Sequence, residues 1–166
     1  GLSATLSFAE VERYSADLAR YFRETLELPQ GSVVAVQSPN CISYIVSLLG
    51  ILRAGLIVSN VNPLYTETET RKQLRDCRAK VLIGSTVFAD TVDGAVEGTQ
   101  VEHVLAVSLS DFFPKWKRRL VDLMLYKVKR VARPLQRPHT RLETAIELGA
   151  QYDRSLGAYT ANLASD

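Results

Sequence analysis

An α/β fold, a doubly wound and mostly parallel sheet with helices on both faces, is predicted for this chain by three observations. Short β-branched runs (SVVAV, KVLIG and HVLAV) alternate with segments whose apolar residues recur every three or four positions. The runs are apolar throughout rather than at every second residue, which is the pattern of strands covered on both faces. Helix-length stretches separate one run from the next, as crossovers between parallel strands require. At 166 residues and 46% apolar content, the chain can bury one ordinary core.

The elements follow in order. Ser7 and Glu10 have the spacing of a capping box, in which hydroxyl and carboxylate each take an orphan backbone N–H. Val11, Tyr14, Leu18, Tyr21, Phe22 and Leu26 then recur at helical spacing, with Arg13–Asp17 and Arg20–Glu24 as i,i+4 pairs on the other face. A Pro29-Gln30-Gly31 turn closes this helix. SVVAVQSP reads as a strand ended by Pro39, after which Asn40 is expected to cap the next helix. There Ile42, Tyr44, Ile45, Leu48, Leu49 and Leu52 cover more than half the circumference, so burial on most sides is expected. Gly55 ends it and 56–59 is expected to be another buried strand.

Gly50 and Gly55 reproduce the outer spacing of a nucleotide-binding loop. Leu56 and Ile57 stand where Lys and Ser/Thr would be needed for phosphate and magnesium, so the match is a decoy. Thr66 and Glu69 form a second capping box for a helix ending near Cys77. KVLIGS and EHVLAVS are strands flanking a helix at 87–96. Beyond Ser108 come a basic amphipathic segment, Pro134 and Pro138 as stops, a short helix at 142–148 and a polar tail. The organisation is therefore an α/β portion (1–110), a basic segment (111–138), and a short helix with its tail (139–166).

Composition narrows the chemistry. Cys41 and Cys77 have neither disulfide-framework nor metal-ligand spacing and read as reduced thiols, which points to a cytoplasmic setting. His103 and His139 stand without the partners that a zinc site or a triad needs. No charged n-region precedes an apolar run, and the most apolar stretch (45–61) contains Arg53 and Asn60, against a membrane span. NVNPLY falls at the carboxyl end of a predicted strand, where α/β sheets build sites. Pro63 forces Asn62 towards an extended conformation, and Asn60 and Asn62 can bond the loop's own backbone, so structural punctuation is the favoured reading.

Three stretches, LSFAEVERYSADLARYF, GSVVAVQSPN and GILRAGLIVSNVNPLYTETETRKQLRDCRAKVLI, resemble the start of the AMP-forming, adenylate-forming enzymes. Within that family the combination of ILRAG with NVNPLYT is most similar to the bacterial long-chain fatty acid–CoA ligases. The resemblance implies a parent enzyme that uses ATP, Mg2+ and coenzyme A. The carboxylate of a long-chain fatty acid would attack the α-phosphate of ATP, releasing pyrophosphate, and the thiol of coenzyme A would then displace AMP. The family's Thr/Ser/Gly-rich phosphate loop has no counterpart here, and AYTANLASD resembles the approach to it. The resemblance therefore implies no catalytic, cofactor-binding or metal-binding residue in this chain, and no activity or bound cofactor when it is isolated.

Residues 111–138 hold nine cations against two acids, a net +7, whereas the rest holds eleven against sixteen, a net −5. At 100° per residue, Lys115, Arg118, Arg119, Asp122, Lys129, Arg130 and Arg133 share one face of 112–133. Phe113, Trp116, Leu120, Val121, Met124, Val128 and Val131 lie broadly opposite. A Trp-bearing helix with a cationic face is the pattern of a segment lying on an anionic membrane surface. Lys115, Trp116, Arg118, Arg119, Leu120, Met124, Lys129 and Arg130 are its candidate contacts. The bland alternative is a helix whose apolar face packs on its own domain. Nucleic acid is set aside because the aromatic residues lie away from the cations, where bases cannot stack between them. A peripheral position at the inner face of the membrane and association between copies are expected. A stand-alone surface-binding module is the rival to the enzyme reading.

Overall fold

The computed structural model describes residues 5–128 and 131–153. Five strands form one parallel sheet in the order β2-β1-β3-β4-β5, with β1 at Val33–Gln37, β2 at Ile57–Asn60, β3 at Val81–Ser85, β4 at His103–Val107 and β5 at Thr140–Arg141. The register pairs Val34 with Val58 and Val81, Ile83 with Leu105, and Leu105 with Thr140. The helices are α1 (Phe8–Arg20), α2 (Ile42–Arg53), α3 (Glu67–Asp76), α4 (Ala89–Ala95), α5 (Lys115–Asp122) and α6 (Leu142–Gly149).

Strand alternation sorts the core into two layers. Val34, Val36, Val81, Ile83, Leu105 and Val107 face α1, α2 and α6, meeting Leu18, Phe22, Val46, Ile51, Leu142 and Ile146. Ala35, Leu82, Val104 and Ala106 face the other way, onto Leu74 of α3 and Val92 of α4. Both faces of β1, β3 and β4 are thus buried, which is why their sequences read as continuous apolar runs. Both predicted capping boxes are present: Ser7 and Thr66 accept the N–H of Glu10 and Glu69, whose carboxylates return to the cap backbone.

The decoy glycines have structural work. A Cβ on Gly50 would lie 2.8 Å from Leu18 Cδ2, so this glycine lets α2 approach α1 closely. Gly55 follows the end of α2 with φ 69°, a conformation that side chains resist.

Several expectations are corrected. The N-cap of α2 is Cys41, whose side chain makes no capping bond, not Asn40. Asp17 makes its direct ion pair with Arg20 at 2.7 Å, while Arg13, its guanidinium over the Tyr14 ring, acts on Asp17 only through its charge. The predicted helix at 87–96 starts as a 3₁₀ turn and becomes α-helical only at Ala89. β2 is an edge strand with Ile57 53% exposed, so it is not buried, and α2 leaves Ile45 and Leu52 half in solvent. The basic segment is not one regular helix: after α5 it continues as a π-helical stretch, Leu123–Val128.

Candidate functional site

Two places at the carboxyl ends of the strands could carry function. The first is a cleft of about 490 Å3 between the ends of β1 and β2, lined by Ser38, Pro39, Asn40, Tyr44, Asn60 and Asn62 among others. The side-chain oxygens of Asn60 and Asn62 are already occupied. The Tyr44 hydroxyl donates to Asn60 Oδ1 at 3.1 Å, and Leu64 N–H donates to Asn62 Oδ1 at 3.0 Å. Gln73 Nε2 reaches from α3 to the Asn60 carbonyl at 2.8 Å, fixing the loop to the sheet. NVNPLY is therefore a braced turn. Among the described residues no Lys or Arg lines this cleft, so it does not fit the charged phosphates of ATP.

The second place is the basic segment, which is fastened at both ends. At the amino end, Arg118 pairs with Glu143 at the start of α6, and Ser110 Oγ donates to Asp122. Phe112, at φ 65°, donates its N–H to Glu143 Oε1 at 2.9 Å. At the carboxyl end, Arg133 reaches α4, donating to Asp90 Oδ1 at 2.7 Å and Asp93 Oδ2 at 3.0 Å. Asp93 also accepts the backbone N–H groups of Gln136 and Arg137. Burial works to raise the Asp93 carboxyl, but those N–H groups and Arg133 outweigh it and hold it below the usual range.

Between the fastenings, the apolar residues divide. Val121 and Leu125 turn inward and are buried with Ala132 against Val87 and Tyr126. Trp116, Leu120 and Leu123 turn outward, 67%, 54% and 51% exposed, at the i, i+4, i+7 spacing of one helical face. Lys117 Nζ lies 5.4 Å from the Trp116 ring. Of the sequence-predicted contacts, Lys115 and Arg119 flank this ridge in solvent and Met124 is half-buried. Arg118 is turned to its ion pairs, and Lys129 and Arg130 lie outside the described residues. Sequence reasoning missed Leu123 and the acids Asp93 and Glu143, whose partners lie 40 and 25 residues away. Among the described residues no cluster of His, Cys, Asp or Glu could hold a metal ion, and no helix is long and apolar enough to cross a membrane.

A family model for AMP-binding enzymes matches residues 1–137. The chain belongs to the AMP-binding enzyme family. It is 37% identical over 138 residues to a long-chain-fatty-acid–CoA ligase of Haemophilus influenzae, covering 83% of this chain and 25% of that protein. It is 38% identical over 130 residues to the ligase of the same name from Escherichia coli O157:H7, covering 78% and 23%. The chain thus spans about a quarter of the length of these curated relatives. A crystal structure of a long-chain-fatty-acid–CoA ligase from Archaeoglobus fulgidus matches 64% of this chain and 22% of its own, with TM-score 0.58 and 26% identity. The adenylation domain of a carboxylic acid reductase from Segniliparus rugosus, solved with AMP and a co-purified carboxylic acid, covers 91% of this chain and 24% of its own. Its TM-score is 0.71 and, at 16% identity, it supports the fold alone.

Proposed function

We propose that this chain forms the amino-terminal part of an ATP-dependent, AMP-forming ligase that converts long-chain fatty acids to acyl-CoA through an acyl-adenylate. The observation that carries this reading is the identity of 37–38% to bacterial long-chain-fatty-acid–CoA ligases over most of the chain. On this reading the five-stranded unit is scaffold. Its strand-end loops are braced, its glycines serve packing and a helix end, and the phosphate-binding groups, Mg2+ and coenzyme A are held by other parts of the parent enzyme. The test is pyrophosphate exchange driven by long-chain fatty acids. A protein carrying this chain together with a Thr/Gly-rich phosphate loop is expected to exchange, and the 166-residue chain by itself is not. Stoichiometric, magnesium-dependent ATP binding by the isolated chain would defeat the scaffold reading.

A second reading concerns where the enzyme works. The outward ridge of Trp116, Leu120 and Leu123, beside Lys115 and Arg119, favours peripheral attachment to an anionic membrane at its inner face, where fatty acids are encountered. Each cation near such a leaflet contributes on the order of 1 kcal/mol, screened over about 8 Å at physiological salt. Inserted apolar area adds roughly 25 cal/mol per Å2. In vesicle co-sedimentation, Arg119→Gln is expected to weaken the salt-sensitive part of binding and Trp116→Ala the salt-resistant part. Indifference to anionic vesicles at low salt would end this reading.

A further inference from the structure

Asp111 sits where four elements meet. It is 4% exposed, one residue before the left-handed turn at Phe112 that opens the path to α5. Its Oδ2 accepts the Ser108 N–H at 2.7 Å and the Ser43 hydroxyl of α2 at 3.3 Å. Its Oδ1 lies 3.5 Å from the Arg141 guanidinium on β5, whose side chain is 46% exposed and has solvent as its alternative. From α6, Glu143 faces it; from α5 come Arg118 and, through Ser110, Asp122. α2 contributes Ser43 but no charge near it, and α1 contributes the Tyr14 ring against Phe112.

We propose that Asp111 is a proton-operated clasp: ionised, it holds Arg141 of β5 to the β4–α5 loop; protonated, it releases Arg141 and leaves the base of the basic segment one unit more positive. A buried carboxylate is tolerable only while donors surround it, and here Oδ2 has two and Oδ1 has one charged, releasable partner. Adding the proton removes the counter-charge from Arg141 and the repulsion from Glu143 together. Burial, with Glu143 beside it, pushes the Asp111 carboxyl up to about 7, against the pull of the Ser108 N–H, Arg118 and Ser43. The clasp therefore works near neutral pH. Because the folded value is raised, the stability linked to this proton is fully present below the ordinary carboxylate range and is lost as pH rises through about 7.

The test is a pH series on the 166-residue chain, following the Arg141 side-chain nitrogen and the Asp111 carboxyl carbon by NMR. Both signals are expected to move together with a midpoint near 7. In Asp111→Asn the Arg141 signal should stay flat. Ser43→Ala, a milder change that keeps the proposal testable if the Asn variant does not fold, should raise the midpoint by removing a donor to the carboxylate. A flat Arg141 signal in the unmodified chain, or an Asp111 carboxyl titrating near the ordinary value of about 4, overturns the clasp. Only the vesicle arm rests on the membrane-surface reading. Phosphatidylserine vesicles are expected to bind roughly fivefold more tightly at pH 6 than at pH 8, the effect of one added charge, and Asp111→Asn should abolish that step. Titration of Arg141 without vesicle binding keeps the clasp and removes the surface reading; pH-independent binding with a flat Arg141 does the reverse.

Discussion

Asp93 shows how one residue can outweigh a more visible ion pair. Asp90 and Asp93 both hold Arg133, but Asp90 is 91% exposed and Asp93 only 16%. Asp93 also satisfies the N–H groups of Gln136 and Arg137, which would otherwise need other partners. An exposed pair contributes about 0–1 kcal/mol, whereas hydrogen bonds to a sheltered charge contribute about 1.5–3 kcal/mol. Asp93→Ala is therefore expected to destabilise by roughly 2 kcal/mol and Asp90→Ala by less than about 0.5 kcal/mol, measured by urea unfolding. The pH dependence has a definite sign. The Asp93 value is lowered in the folded chain, so its contribution is present above the ordinary carboxylate range and lost as pH falls through the lowered value. The gap between Asp93→Ala and the unmodified chain should accordingly close in strong acid.

At the scale of elements, Gly50 and Gly55 make opposite demands. Gly50→Ala gains helix propensity of about 1 kcal/mol but pushes a Cβ into fully buried Leu18, an overpacking cost of about 1–3 kcal/mol. A net loss of on the order of 1 kcal/mol is expected, and Leu18→Ala in the same chain should relieve the clash, so the two changes should be non-additive in a thermal-unfolding cycle. The elements differed in how legible they were. β1, β3 and β4 were readable because burial on both faces removes polar residues from the run, and both capping boxes were readable because their partners are three residues apart. β5 was not, since two residues, Thr140 and Arg141, carry no periodicity and pair only because β4 is already in place. The helical wheel found the basic segment but merged two apolar stripes. Val121 and Leu125 face the domain while Trp116, Leu120 and Leu123 face out, and nothing local to the sequence says which stripe the domain will cover. The same blindness made α2 look buried, because an apolar circumference records what a helix can cover rather than what covers it.

Part of that uncovered surface lies at the β2 end of the sheet. β2 ends the sheet, so one edge of its backbone is unpaired among the described strands. Ile57 on that edge and Ile45 and Leu52 on α2 are each about half exposed. An unpaired parallel edge flanked by aliphatic side chains is a template for another strand and an incentive to bury apolar area. In a chain that spans about a quarter of its curated relatives, we expect this face to meet a second copy when nothing else covers it. Sedimentation velocity of the 166-residue chain should give a mass that rises above 18.4 kDa with concentration. Ile57→Lys should lower that association by placing a charge on the edge, and Leu52→Glu should add to the effect. Trp116→Ala should leave it unchanged, since the ridge on α5 lies beyond β4, away from the β2 edge. A monomer across the whole concentration range, with a cooperative thermal transition, would show that the edge is protected as it stands. If Trp116→Ala alone dissolved the association, the contact would belong to the basic segment instead.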